Sequence, residues 1–238
     1  VTNASYSDFG DLRMGSHGPN AYLRPEFALA TSNGDVIIEN KNPLVQKPTA
    51  YSQINLMQKA HYKPYNNLSF DLGLYYSATS NYSRYDRLIR YRRGTLRSAQ
   101  WHYGPQKWFM SNLQITKLSS SSNLYDKIKA TMAYQNFQES RMDRDFQSPI
   151  RNIRKEAVDA YSFNLDFEKT LSAKTEFFYG VEYIYNKVKS TGNEENIDAS
   201  TSTPTVSRYP NGASWQSTAA YSSIKYKPNP KFIFQSGL

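Results

Sequence analysis

The densest chemistry in this sequence lies between residues 81 and 107. Arg84, Arg87, Arg90, Arg92, Arg93, Arg97 and Lys107 stand there against one acid, Asp86; seven positive charges less one leave a surplus of six, out of a chain total of +9. Tyr82, Tyr85, Tyr91, Trp101 and Tyr103 are interleaved with them. A guanidinium presents a planar fork of donors that fits carboxylate, catecholate or phosphate oxygens, and aromatic faces add stacking. The pattern points to anion capture, with Arg84, Tyr85, Arg87, Arg90, Tyr91 and Trp101 as the candidate ligand-binding set. Two blander roles compete: binding the phosphates of surface lipid, or neutralising acids on neighbouring loops such as Asp143, Asp145, Glu194 and Glu195.

Enzyme chemistry finds no comparable set. His17, His61 and His102 are isolated, none at metal-ligand spacing with another histidine or a carboxylate, and cysteine is absent. No G-x-S-x-G elbow or phosphate-cradling glycine loop occurs, and the glycines of "GDLRMGSHG" (10–18) read as loop turns. The expectation is a protein that is not an enzyme, with no catalytic residue, no metal ligand and no cofactor. A barrel protease or lipase would need a histidine partner on a neighbouring strand end, and none can be named.

The elements that position the arginines read as β-structure. Mean hydropathy is −0.72, and no run reaches the roughly 18–20 apolar residues of a spanning helix, which excludes a helical membrane protein. The 20 Tyr and 12 Phe, with abundant Ser, Thr and Asn, suit a soluble sandwich or an outer-membrane barrel. Period-2 alternation predicts strands over 52–63, 68–80, 108–117, 124–138, 157–171, 175–189, 215–227 and 231–238. In these runs Leu72, Leu74, Tyr76, Met132, Phe163, Leu165, Val181 and Tyr183 should face lipid. Asp71, Gly73, Lys129, Asn164 and Glu182 should face a lumen.

The links between the runs alternate as well. They are short at 64–67, 118–123, 172–174 and 227–230, and long at 10–50, 81–106, 139–156 and 190–213. A sandwich has no reason to gather its long links at one end, whereas a membrane barrel has tight turns on one rim and extended loops on the other. Aromatics cluster near both ends of the runs, as two interfacial girdles require: Tyr62, Phe70, Phe167, Phe177, Tyr226 and Phe232 by the short turns, and Tyr76, Trp108, Phe109, Tyr134, Tyr161 and Tyr185 toward the long loops. The expected fold is all-β, an antiparallel up-and-down meander.

The strings "GDLRMGSHGPNAYLRP", "YSQINLMQKAHYKP", "YSRYDRLIRYR", "YGPQKW", "ESRMDRDF", "RNIRKEAVDAYSFNLDFEK" and "FFYGVEYIYNKVKSTG" succeed one another along nearly the whole chain. Together they resemble TonB-dependent outer-membrane receptors of Gram-negative bacteria; their number and order carry the likeness, since none is a catalytic motif. The resemblance implies that residues 1–238 are a partial wall of a barrel of about 22 strands closed around an N-terminal plug. It implies residence in the outer membrane and contact with lipid, lipopolysaccharide and the plug. The activity implied is uptake of a scarce nutrient complex (a ferric siderophore, haem or cobalamin) when the TonB complex pulls on that plug. Plug, TonB box and closing strands are missing from this sequence, and both ends read as cut. Val1–Phe9 would be the tail of a rising strand and residues 10–50 the loop above it. Two alternatives stay open: a passive porin barrel, and a soluble β-domain binding an anionic polymer, suggested by the charge of +9. Nucleic acid is not an expected partner for a loop outside the cell.

Overall fold

Alternating side chains build one long sheet in the computed structural model, which describes residues 1–238 apart from Ser32. Its wall consists of β1 (Thr2–Phe9), β2 (Tyr51–Tyr65), β3 (Leu68–Thr79), β4 (Lys107–Leu118), β5 (Lys127–Asp145), β6 (Ile150–Ser172), β7 (Thr175–Asn196), β8 (Ser214–Asn229) and β9 (Phe232–Gly237). Each strand pairs antiparallel with its sequence neighbours, and the sheet is open beyond β1 and β9. This is the sequential meander expected from the alternation, with Thr2–Phe9 as its first strand, paired to β2.

Register fixes the two faces. Ala60, Leu72, Leu113, Met132, Phe163, Tyr183 and Thr218 stand opposite one another in turn across the wall. Side chains two residues apart on a strand share a face, so Leu74, Tyr76, Leu165 and Val181 join that row's face. Tyr76 and Leu165 are half-buried, while Leu72, Leu74, Met132, Phe163, Val181 and Tyr183 are exposed. The other face is polar and tied together: His61 to Asp71 at 2.7 Å, Asn164 to Glu182 at 2.9 Å and Lys127 to Glu168 at 3.4 Å.

Aromatic residues bound the apolar face. Ring centroids of Phe109, Tyr134, Tyr161 and Tyr185 succeed one another at 6.2, 5.0 and 6.3 Å toward the long-loop end. Near the short turns Tyr62 lies 6.3 Å from Phe70, and Phe167 stacks on Tyr179 at 4.7 Å. Trp108 departs from the expected girdle: its position on β4 turns it to the polar face, where its indole donates to Gln135 at 3.2 Å.

On the polar face, Gly180 leaves space for a neighbour. A Cβ there would lie 2.6 Å from the Leu165 carbonyl oxygen and 2.7 Å from the Tyr221 ring. That ring crosses the glycine so that its hydroxyl donates to Asp166 at 2.6 Å. Gly180→Val is expected to displace the ring and break this bond, destabilising the wall by about 1–3 kcal/mol. Denaturant midpoints check it, and a Gly180→Val midpoint equal to the parent's would count against the packing described.

The loop end differs from expectation. β5 runs on to Asp145 and β6 begins at Ile150, so the long link expected over 139–156 shrinks to a turn at 146–149. β7 continues to Asn196, and Thr201–Thr205 pairs back onto it. Backbone ladders need no apolar face; past a last apolar row of Trp108, Phe137, Val158 and Val188 just above the tyrosines, alternation stops while pairing continues.

Candidate functional site

Residues 80–106 are tied into the sheet rather than suspended above it. Tyr82–Ser83 pairs with a strand at Ser98–Tyr103, which pairs in turn with Arg141–Asp145 of β5. Between them one helical turn, α1 (Tyr85–Leu88), leads to a hairpin of Tyr91–Arg92 with Thr95–Leu96. Arg93 (φ 53°) and Gly94 (φ 81°) take the left-handed conformation that a two-residue hairpin turn demands. Leu88 and Leu96, 2% and 1% exposed, are the buried hydrophobic side chains of the described residues and give the segment its apolar anchor.

Long-range polar contacts join this segment to residues 10–50 and to the β5–β6 turn. Arg24, 1% exposed, donates through Nε to the Lys47 carbonyl at 2.9 Å and through Nη1 to the Leu88 carbonyl. Burial lowers its pKa to about 10. Asp35, on the hairpin formed by Glu26–Thr31 and Gly34–Glu39, receives both Nη atoms of Arg144 at 2.5 and 2.8 Å. The Gln147 N–H donates to the same carboxylate at 2.8 Å. Tyr91 donates its hydroxyl to Glu26 at 2.9 Å. Three sequence-distant segments thus form one cap.

Within the cap, the pairing to β5 sets Tyr103 opposite Arg141 and Trp101 opposite Asp143. The Arg84 guanidinium lies 5.1 Å from the Trp101 ring centroid and 5.7 Å from that of Tyr103. Arg141 lies 5.5 and 5.0 Å from the same rings, and Arg87 lies 5.7 Å from Trp101. Arg84 Nη1 and Arg141 Nη2 both donate to the Tyr103 hydroxyl at 3.1 Å. Arg87, Arg90, Arg97 and Trp101 line a cavity of about 70 Å³ together with Asp143 and Asp145. That is room for a small oxyanion or about two waters. The Nε atoms of Arg87 and Arg141 are buried without a hydrogen bond, and Arg87 Nε lies 3.7 Å from the Asp86 carboxylate.

Of the candidate set, then, Arg84, Arg87, Arg90 and Trp101 come together. Tyr85 is exposed and Tyr91 is committed to Glu26, and neither lines the cavity. Arg84 also spends its fork on Asp86, at 2.8 and 2.6 Å, while Arg90 Nε donates to the Asp86 carbonyl at 3.1 Å. The competing neutralising role is met in one place, where Arg92 pairs with Asp145 at 2.8 Å on the surface; Glu195 is taken instead by Arg151. Arg24, Asp35, Arg141 and Arg144 complete the arrangement, and sequence reasoning does not select them. No local pattern marks contacts such as Arg141–Tyr103 and Arg144–Asp35, which span 38 and 109 residues.

The hydrogen bond from Arg84 holds the Asp86 carboxyl below the usual carboxylate range, and the same contact raises the Arg84 pKa. A carboxyl with a depressed folded pKa contributes stability in full above its unfolded value, near 3.9, and loses it as pH falls through the lowered value. The arginine platform therefore keeps its charge state across neutral pH. Anion binding by the cap is expected to be flat between about pH 5 and 8; a titration midpoint inside that window, measured by calorimetry, would contradict the assignment.

No protein-family model matches the chain, and no curated protein matches it. Among solved structures it is similar to the copper transporter OprC, with a TM-score of 0.60 at 12% identity, over 98% of this chain and 36% of that one. The chain thus spans about a third of that protein's length, and the likeness is one of fold. The meander is similar to the wall of an outer-membrane barrel and is not closed within this chain.

Proposed function

We propose that this chain is a segment of an outer-membrane barrel that takes up a scarce nutrient as an anionic complex, energised through a plug and the TonB complex. The receptors that its strings resemble work in this way. One observation carries the reading: the row from Ala60 through Leu72, Leu113, Met132, Phe163 and Tyr183 to Thr218 has no second sheet packed on it among the described residues. A contiguous exposed apolar surface marks a membrane or partner contact, and the tyrosines bounding it favour lipid. A soluble sandwich would cover that row. The fold's likeness to a transporter supports carriage across the membrane, and the arginine–aromatic platform supports a ferric siderophore, haem or cobalamin complex as the kind of cargo.

Expressed as the full-length protein in a Gram-negative host, the chain should fractionate with the outer membrane and require detergent. Solubility without detergent, with cooperative unfolding, would overturn the reading. Collapse of the inner-membrane proton gradient should stop uptake; uptake that continues unchanged would assign a passive porin instead. Replacing Arg84, Arg87 and Arg90 together by Gln should weaken capture of the anionic complex by about tenfold or more at low ionic strength and by less in salt. Equal affinity at low ionic strength would leave this loop only its surface charge.

A further inference from the structure

The hairpin of Glu26–Thr31 and Gly34–Glu39 has one strand with a bare edge. Glu26–Thr31 packs next to Ser98–Tyr103, which leaves Gly34–Glu39 outermost, and no strand pairs with its far side among the described residues. That edge is apolar. Val36, Ile37 and Ile38 are consecutive β-branched residues, 40%, 39% and 37% exposed. Open N–H and C=O groups beside apolar side chains are a template for another strand, and proteins blunt such edges with charge, proline or a bulge. None of these devices interrupts Val36–Ile38, and the register to Glu26–Thr31 runs without a shift.

The hairpin's own ladder shows which backbone groups are open. Asn40 donates its N–H to the Pro25 carbonyl at 2.7 Å, and in the same register Ile38 faces Phe27 and Val36 faces Leu29. Hydrogen-bonded pairs recur at every second position of an antiparallel ladder. Asn40, Ile38 and Val36 therefore turn their backbone groups inward, and Asp35, Ile37 and Glu39 turn theirs to the bare edge. The edge is also held in place. Asp35 is pinned to Arg144 by the buried ion pair and accepts the Gln147 N–H. The same pin neutralises Asp35, so that its charge does not act on anything that pairs with this strand.

We propose that Gly34–Glu39 is a dimerisation edge, which pairs antiparallel with the same strand of a second copy of this chain. A two-fold axis through Ile37 sets Ile37 against the partner's Ile37, Val36 against the partner's Ile38 and Asp35 against the partner's Glu39. All three residues with open backbone groups then meet one another. Sliding the partner by two residues in either direction leaves one of the three without a match. Apolar side chains meet apolar ones, and Asp35 meets the partner's Glu39 without repulsion because Arg144 already holds its charge. This self-complementarity favours a second copy over an unrelated strand, and an isologous contact of this kind closes at two copies. In the membrane reading proposed above, two copies in one membrane carry the edge at the same height, beside the β5–β6 turn.

The test uses the full-length protein in detergent, sized by analytical ultracentrifugation, with folding followed by the heat-modifiable gel mobility of a barrel. The parent should sediment as a dimer. Ile37→Pro should sediment as a monomer and keep the folded mobility, because proline removes an N–H that the hairpin itself does not use. Ile37→Val should remain dimeric. A cross-link reads the same edge without proline: Val36→Cys and Ile38→Cys proteins are oxidised separately and as a mixture. Residues opposite each other in a non-hydrogen-bonded pair lie about 4.5 Å apart, within disulfide reach, whereas either variant alone places its two cysteines beyond the limit of about 7 Å. The mixture should therefore yield several-fold more linked dimer than either variant alone. A monomeric parent would overturn the second copy as occupant and leave the edge to another part of the full-length chain or to a different extended polypeptide. A folded Ile37→Pro protein that stays dimeric would overturn this edge as the contact, and equal linking by the mixture and the separate variants would overturn the register.

Discussion

Asp35→Ala is expected to release the cap from the wall while leaving the wall strands paired. The Asp35 and Arg144 side chains are 2% and 3% exposed, so each charge has given up water for the other. Removing the carboxylate leaves the guanidinium with the Ser148 carbonyl at 2.8 Å and a buried Nε that has no partner. Breaking one side of a buried pair costs about 3–5 kcal/mol. The cap's buried apolar content is Leu88 and Leu96, each worth about 1.5–3 kcal/mol, so the loss rivals what holds the cap down. Hydrogen exchange should show the Gln147 amide, which donates to Asp35, losing protection together with the Glu26–Glu39 hairpin. Replacing both partners by apolar residues, as Asp35→Leu with Arg144→Met, should restore most of that protection. Unchanged exchange in the single variant would mean that the cap is held elsewhere.

Phe163→Arg is expected to cost about 2–4 kcal/mol in a bilayer, the cost of an arginine near the midplane of a barrel's lipid face. Phe163 is exposed and stands in the middle of the apolar row, between Met132 and Tyr183. Ser162→Arg, one residue earlier, places the same charge on the polar face and should cost little. Unfolding of the two full-length variants in lipid separates the faces by comparison. Matching stabilities would mean that the row does not meet hydrocarbon.

The wall was legible because an alternating strand has two chemically different sides. From Leu72–Leu74–Tyr76 on β3 to Val181–Tyr183 on β7, alternation put the named apolar residues on one face, with Trp108 of the girdle the exception. The short turns were legible for a local reason: "PYNN" and "SAK" interrupt the pattern with turn-forming residues, and the observed turns fall at 66–67 and 173–174. The upper strands were not legible. In Glu139-Ser140-Arg141-Met142-Asp143-Arg144 the period disappears, because neither side of the sheet is apolar there, although the ladder to β6 is unbroken. At the arginine segment the residue types could be read but not their commitments. Nothing in "SRYDRLIRYRRG" tells that Arg84 closes on Asp86 while Arg87 lies over Trp101, since Trp101 reaches the site through its pairing with β5.

The change in character at the tyrosine row divides the chain into parts with different tolerance for changes of length. Deleting one residue of β6 between Tyr161 and Phe167 would reverse the phase of the rest of the strand and turn Asp166 and Glu168 onto the apolar face. Deleting or adding residues in the turn at 146–149 moves no side chain below it, because the pairing on either side is set lower down the same two strands. Up to the row of Phe137, Val158 and Val188 just above the tyrosines the strands carry a side-chain reading frame, and higher up they do not. Insertions and deletions that this protein survives should therefore collect above the tyrosines, where each one reshapes the cap and leaves the two-faced wall below it in phase.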